Sequence, residues 1–276
     1  MEDQAKDNSL TERMRSSTKE SHDKSDRLVN LKLALVLTSP KLYGESISLF
    51  FPIFERLESI IERLKGEEPQ SGYAQLKKLK EIMPKLSRTA GFQSDISHYL
   101  TSDERKAWRE RFDEGNPPEL IQYLDHLDTL EKKDPIRILA YIYHLYMAIF
   151  AGGFIIQKMV RKTMGIPKDS NIGVEAFGLS QSCIEQNISS KSLRTQLKRL
   201  MNEDIGASLS EHEIDSILDE SHKVFDMNNK LVSSVQVSPT FETTMKEFKR
   251  KFIIPIMLVI PGILLSFLFF RNEKKK

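Results

Sequence analysis

The sequence predicts an all-α fold. Three observations point there. Apolar residues recur in steps of three and four, as in Ile47, Phe50, Phe54, Leu57, Ile61 and Leu64. No apolar/polar alternation of useful length appears, and serine, threonine and proline stand where helices would begin. Charged residues make up 29% and hydrophobic ones 39%, a balance that suits a globular body.

Each element can be justified in order. "LTERMRSSTKESHDKSDRLVNLKLAL" reads as one helix capped at Ser9 or Thr11, with Leu10 and Met14 as its first apolar positions. "SPKLYGESISLFFPIFERLESIIERLK" opens on a Ser-Pro start, and "EEPQSGY" is a loop. "YAQLKKLKEIMPKL" reads as a short helix ended by Pro84, "FQSDISHYL" as another, and "SDERKAWRERF" as one starting from a serine cap. "PPELIQYLDHLDTLEKK" begins with prolines at a helix start, and a long helix from about Pro135 to Met164 stops at "GIPKDSN". "SSKSLRTQLKRLMNE" and "LSEHEIDSILDESHKVFDMNNKLVSSVQ" complete a body of seven or eight helices, with "VSPTFETTMK" as a linker.

The expected organisation is a helical domain over 1–235, a linker with a basic flank over 236–251, an apolar run over 252–270 and a basic tail over 271–276. "FIIPIMLVIPGILLSFLFF" contains no charge and would span roughly 28 Å as a helix, about the thickness of a bilayer core. Its prolines and glycine would harm a soluble helix and are better tolerated in lipid. A transmembrane tail anchor inserted after synthesis is therefore expected, with the body left in the cytosol. The single cysteine, Cys183, excludes an internal disulfide framework, and "MEDQAKDNSLTERMRSS" lacks the apolar core of a signal peptide. Residues 246–276 carry net +6 and residues 1–245 net −4, which argues against nucleic acid as a partner.

The chemistry candidates are few. No HExxH, CxxC, P-loop or dinucleotide fingerprint occurs among the six histidines and the rest of the chain. A lone helical histidine is usually a surface or core residue. His22, however, shares a face with Leu10, Met14 and Thr18, flanked by the small Ser17, Ser21 and Ser25. Arg15 lies two turns earlier, roughly 10 Å away, and Asp26 stands at i+4, where a carboxylate can orient a ligating imidazole. The same segment also reads as a solvated charged surface, and spacing does not decide between the two. Adjacent glycines Gly152 and Gly153 sit inside an apolar helix, at a cost of roughly 1 kcal/mol each relative to alanine.

Three segments together, "RMRSSTKESHDKSDRLVN", "ILAYIYHLYMAIFAGGFIIQK" and "LRTQLKRLMN…SHKVFDMNNKLV", resemble the haem oxygenases of the membrane-anchored eukaryotic type over nearly the whole chain. The resemblance implies a helical fold that holds haem, both cofactor and substrate, between a proximal and a distal helix. It places His22 as the iron ligand and Arg15, Tyr143, Arg194 and Lys198 at the haem propionates. Phe225 and Asn228 fall on the pocket wall, and Gly152 and Gly153 form a distal roof where backbone passes over the ring. It further implies O2, an NADPH-dependent membrane reductase of the cytochrome P450 reductase type, biliverdin reductase as a follow-on partner, and the cytosolic face of the endoplasmic reticulum. The basic tail also suits the mitochondrial outer membrane.

The likeness breaks ahead of the glycines. Where the family has Gly-Asp-Leu-Ser, this chain has Ala148, Ile149, Phe150 and Ala151, and Tyr141 replaces a common histidine. The family's aspartate organises water for proton delivery, which Ile149 cannot do. The expectation is cleavage of haem to biliverdin, iron and carbon monoxide with weakened rate or regioselectivity. The alternatives are a non-catalytic membrane-anchored haem binder, as sensor or carrier, and a helical interaction protein without cofactor.

Overall fold

The computed structural model describes residues 8–64, 72–238 and 240–253, and no strand occurs among them. The expected first helix is two: α1 (Leu10–Ser17) and α2 (Lys19–Val36) meet at Thr18, whose φ of −98° and ψ of 9° leave helical geometry. The Thr18 hydroxyl donates to the Met14 carbonyl at 2.7 Å, a local bond that competes with the regular ladder and bends the chain.

Helix α3 (Pro40–Arg63) starts as read, with the Ser39 hydroxyl accepting from the Leu42 N–H at 3.3 Å and proline at the first position. Leu42, Ile53, Leu57 and Ile60 are fully buried along it, each stabilising the fold by about 1.5–3 kcal/mol. Residues 73–86 split into α4 (Tyr73–Lys77), a 3₁₀ turn (Lys78–Glu81) and α5 (Met83–Leu86). Pro84 starts the last piece instead of ending a helix, because its missing N–H costs nothing in a first turn. Helix α6 (Thr89–Tyr99) packs tightly on α3 at Gly44, where a Cβ would come 2.8 Å from that of Tyr99.

Helix α7 (Ser102–Asp113) is capped by Thr101 and not by Ser102, through a reciprocal box with Glu104. Next come α8 (Pro118–Lys133), a 3₁₀ turn (Pro135–Arg137) and the long α9 (Ile138–Met164), closed by Gly165 at φ 70°. Short α10 (Gln181–Glu185) precedes α11 (Ser190–Arg199), which widens into a π turn over Leu200–Ile205. Helix α12 (Glu211–Ser234) begins with a Ser210–Glu213 capping box.

Helices α9 and α12 pair at the centre; α12 also carries α1, α2 and α8, while α9 receives α11. Between them the fully buried Glu220 accepts from Tyr141 Oη at 2.8 Å and meets His126 Nε2 at 2.6 Å, with Lys223 at 3.3 Å and Arg137 at 3.5 Å. A buried carboxylate needs this company, because an unpaired charge there would cost several kcal/mol.

The stretch expected as a linker holds structure of its own: a 3₁₀ turn (Val235–Val237), α13 (Phe241–Phe248) and a π turn (Lys249–Ile253). Its entry is bonded to the body. The buried Glu45 carboxylate accepts from Thr240 Oγ1 at 2.6 Å, from the Thr240 N–H at 3.3 Å and from the Ser238 hydroxyl. Lys32 Nζ stands 5.7 Å from the Phe241 ring centre. The transmembrane expectation, 252–270, lies outside the described residues from 254 on.

Candidate functional site

The inner face of α1 is apolar and buried through Leu10 and Met14. Past the bend at Thr18, α2 carries His22 outward, its side chain 58% exposed. Asp26, one turn on, places Oδ2 3.3 Å from His22 Nδ1, so Nε2 is the nitrogen left for another partner. Phe225 of α12 lies edge-on to the His22 ring at 5.9 Å and to the His144 ring of α9 at 5.0 Å. His144 in turn lies edge-on to Tyr143 at 5.2 Å. Its Nε2 is enclosed and has no hydrogen-bond partner. Burial, followed by His22 and His222 nearby, pushes the His144 pKa down to about 3, so the ring is neutral at ordinary pH.

A polar cluster forms where α1, α9 and α11 approach. Arg15 is gripped by Glu12 through Nη2 at 2.5 Å and Nε at 3.0 Å. That bond holds the Glu12 carboxyl below its usual range, and Lys198 of α11 adds to the effect. The buried Tyr143 ring sits against the same group, beside Thr11, Glu12 and Arg15; burial raises its hydroxyl pKa. Arg194, one turn before Lys198, has its Nε enclosed without a partner. Asn228 accepts from Tyr123 Oη at 3.0 Å and is thereby fixed on α12. The structure thus gathers Arg15, Tyr143 and Lys198 around Glu12, an acid to which the sequence reading assigned no role.

The two glycines meet different surroundings. Above Gly152 the space for a Cβ is open, with nothing within 4 Å. At Gly153 a Cβ would come 3.0 Å from the Phe177 carbonyl oxygen, so that glycine serves the close approach of a loop. Only Gly152 therefore offers bare helix to a ligand. Ile149 is buried, its Cγ2 3.6 Å from that same Cβ position on Gly153.

Behind α9 lies a support that sequence spacing does not show. Glu58 accepts from Tyr146 Oη at 3.0 Å, from the Arg88 N–H at 2.6 Å and from the Ser87 hydroxyl. The buried Arg88 donates to the Leu86 and Gly178 carbonyls and lies 5.4 Å from the Phe150 ring centre. Gln157 donates to the Val174 carbonyl at 2.9 Å. The buried Asp95 accepts from the Glu175 and Ala176 N–H groups at 2.9 and 2.8 Å. Burial, against the pull of those two bonds, raises the Asp95 pKa to about 7. Apart from the Leu86 carbonyl, each partner is distant in sequence, so no local signal marks these residues.

Comparison with known proteins places this arrangement. The heme oxygenase family model matches residues 8–234. A yeast protein, the "Heme-binding protein HMX1" of Saccharomyces cerevisiae, is 23% identical over 57% of this chain, and the match spans only 51% of that protein. The heme oxygenase of Pyropia yezoensis is 22% identical over 89% of this chain and 96% of its own length. Among solved structures, heme oxygenase 2 of Chlamydomonas reinhardtii, determined without heme, superposes with a TM-score of 0.71 at 26% identity, covering 84% of this chain and 100% of that one. A family match over most of the chain, joined to a shared helical architecture, leads to one conclusion: the chain belongs to the haem oxygenase family.

Proposed function

We propose that this chain binds haem between α2 and α9 and opens it oxidatively to biliverdin, iron and carbon monoxide, using O2 and electrons from an NADPH-dependent membrane reductase. The residues present fit that group. His22 offers a free Nε2, Gly152 leaves open space, Arg15 and Lys198 supply cations for two carboxylates, and enclosed unpaired nitrogens remain on His144 and Arg194. Bound haem would supply the redox-active iron and the ring that is consumed.

The chain's own residues would then do the following. Asp26 orients His22 through Nδ1. Arg15, Arg194 and Lys198 fix the carboxylates by charge-assisted bonds, with Tyr143 beside them, and an incoming carboxylate competes with Glu12 for Arg15. Phe225 and Asn228 wall the site, and Gly152 leaves room for a flat ligand. Ile149 neither donates nor holds a proton, so oxygen activation should be slow and attack less selective among the ring carbons.

The observation that carries this reading is the imidazole of His22, its Nε2 unpaired and its ring against Phe225, together with bare helix at Gly152, in a chain of this family. The test is single-turnover absorbance with haem, reductase and NADPH, with His22→Ala in parallel. Decay of the haem band to biliverdin in the wild type alone supports the reading. A haem band that persists in the wild type favours a haem binder without turnover, the reading that Ile149 in place of an acid recommends. The apolar run at 252–270 supports a tail anchor, which would set the body on the cytosolic face of the endoplasmic reticulum or of the mitochondrial outer membrane. Biliverdin reductase would act downstream.

A further inference from the structure

His144 enters the reading above only through its unpaired nitrogen, with no contact assigned to it, yet it is the group at the site with the clearest unmet need. Its Nε2 is enclosed and without a partner. A buried polar atom left this way costs about 1–3 kcal/mol and calls for an explanation. The ring is not loose: Phe225 and Tyr143 hold it edge-on from two sides.

Its position on α9 is specific. Successive helical turns from residue 144 bring up Ala148, Ala151 with Gly152, and then Ile155. Ala148, Ala151 and Ile155 are exposed and Gly152 has open space above it. His144 thus stands at the inner end of an open stripe of α9. His22 approaches from α2, and Phe225 touches both imidazoles, at 5.9 and 5.0 Å.

The carboxylates of haem are provided for by Arg15, Arg194 and Lys198. What a neutral imidazole with a free nitrogen suits best is the iron. Resting on the reading under Proposed function, we propose that His144 is a second, displaceable axial ligand, so that haem bound at His22 rests with an imidazole on each side. Coordination uses the nitrogen lone pair and moves no proton. O2 or carbon monoxide would enter only after His144 leaves, which adds a gate to a site already lacking a distal acid.

The test uses the full chain loaded with haem. Absorption and electron paramagnetic resonance of the ferric complex should show a low-spin, six-coordinate iron. His144→Ala should lose the low-spin signal, while His222→Ala keeps it. Carbon monoxide binding to the reduced wild type should reach a plateau rate with rising gas concentration, and the His144→Ala rate should keep rising. A high-spin wild type, or a low-spin signal unmoved by His144→Ala, overturns the proposal; the wild-type spectrum needs no variant to fold. If His22→Ala binds haem as the wild type does, it is the haem-site reading itself that fails.

Discussion

The two sides of α9 differ in how their polar groups are met. Toward α3 and the 171–180 loop, Tyr146 is bonded to Glu58, Gln157 to the Val174 carbonyl, and Phe150 is covered by Arg88. Toward α2, α11 and α12, His144 Nε2 and Arg194 Nε are enclosed without partners, and Gly152 faces empty space. Even the glycines divide this way: Gly153 is packed by Phe177 and Gly152 is not. One helix therefore carries a face whose polar groups are met and a face where its His144 Nε2 goes unmet, beside the unmet Arg194 Nε of α11. The cost of the second is carried by the first, a pattern expected where structure gives up stability for binding.

The comparison is broken hardest at Glu58. Glu58→Ala removes the acceptor for Tyr146, Ser87 and two backbone N–H groups. It should cost roughly 3 kcal/mol or more, since each donor stranded in the interior costs about 1–3 kcal/mol. A melting curve should show a fall of roughly 6–12 °C for a chain of this size; an unchanged melting temperature would show that the support face is not what holds α9.

A paired substitution sharpens it further. Gly153→Ala forces a methyl toward the Phe177 carbonyl and should destabilise by about 1–3 kcal/mol. Gly152→Ala meets nothing and should stabilise the ligand-free chain by up to about 1 kcal/mol through helix propensity, while weakening haem binding. Urea midpoints and haem titrations on both variants check this. Equal effects at the two positions would erase the distinction between the faces.

A pH dependence on the support side tests the same comparison by titration. Asp95 has its pKa raised from 3.8 to about 7 in the fold, so the folded state holds the proton more tightly than the unfolded chain. Its contribution is fully present below about pH 4 and is lost as pH rises toward about 7. Asp95→Asn, which cannot ionise, should be less stable at low pH, with the gap to wild type narrowing through that window. Urea midpoints between pH 4 and 7.5 would show it; a constant gap would mean Asp95 does not titrate there. Its charged and titratable neighbours are Glu175, Tyr43 and Tyr99.

How legible was this in the sequence? The helices were, because their starts are marked locally: Ser39 before Pro40, Pro117 and Pro118, Gly165 after Met164. The failures were local competitions with nearly equal outcomes. Thr18 bends what reads as one helix, Pro84 opens a turn it was expected to close, and Thr101 outdoes Ser102 because Glu104 can reply to it. At the site, His22 and Asp26 share one turn and were visible together. Glu58, Arg88 and Asp95 were not, since, apart from the Leu86 carbonyl bonded to Arg88, their partners lie roughly 30 to 90 residues away and only folding brings them into contact. His144 was hidden for a different reason: what marks it is the lack of a bond, and a sequence cannot show that.

The Glu45 bonds to Ser238 and Thr240 have a mechanical consequence. Were residues 236–253 a flexible coil, they would add roughly 25 Å of reach between the body and whatever follows. Pinned at its entry and folded as α13, that stretch gives almost no slack. Anything attached past Ile253 is held on a short leash from one fixed corner of the body, so a pull from that end would load the Glu45 carboxylate before it reached the helices that frame His22. The direction of the chain as it leaves the body is then set by one carboxylate and two hydroxyls.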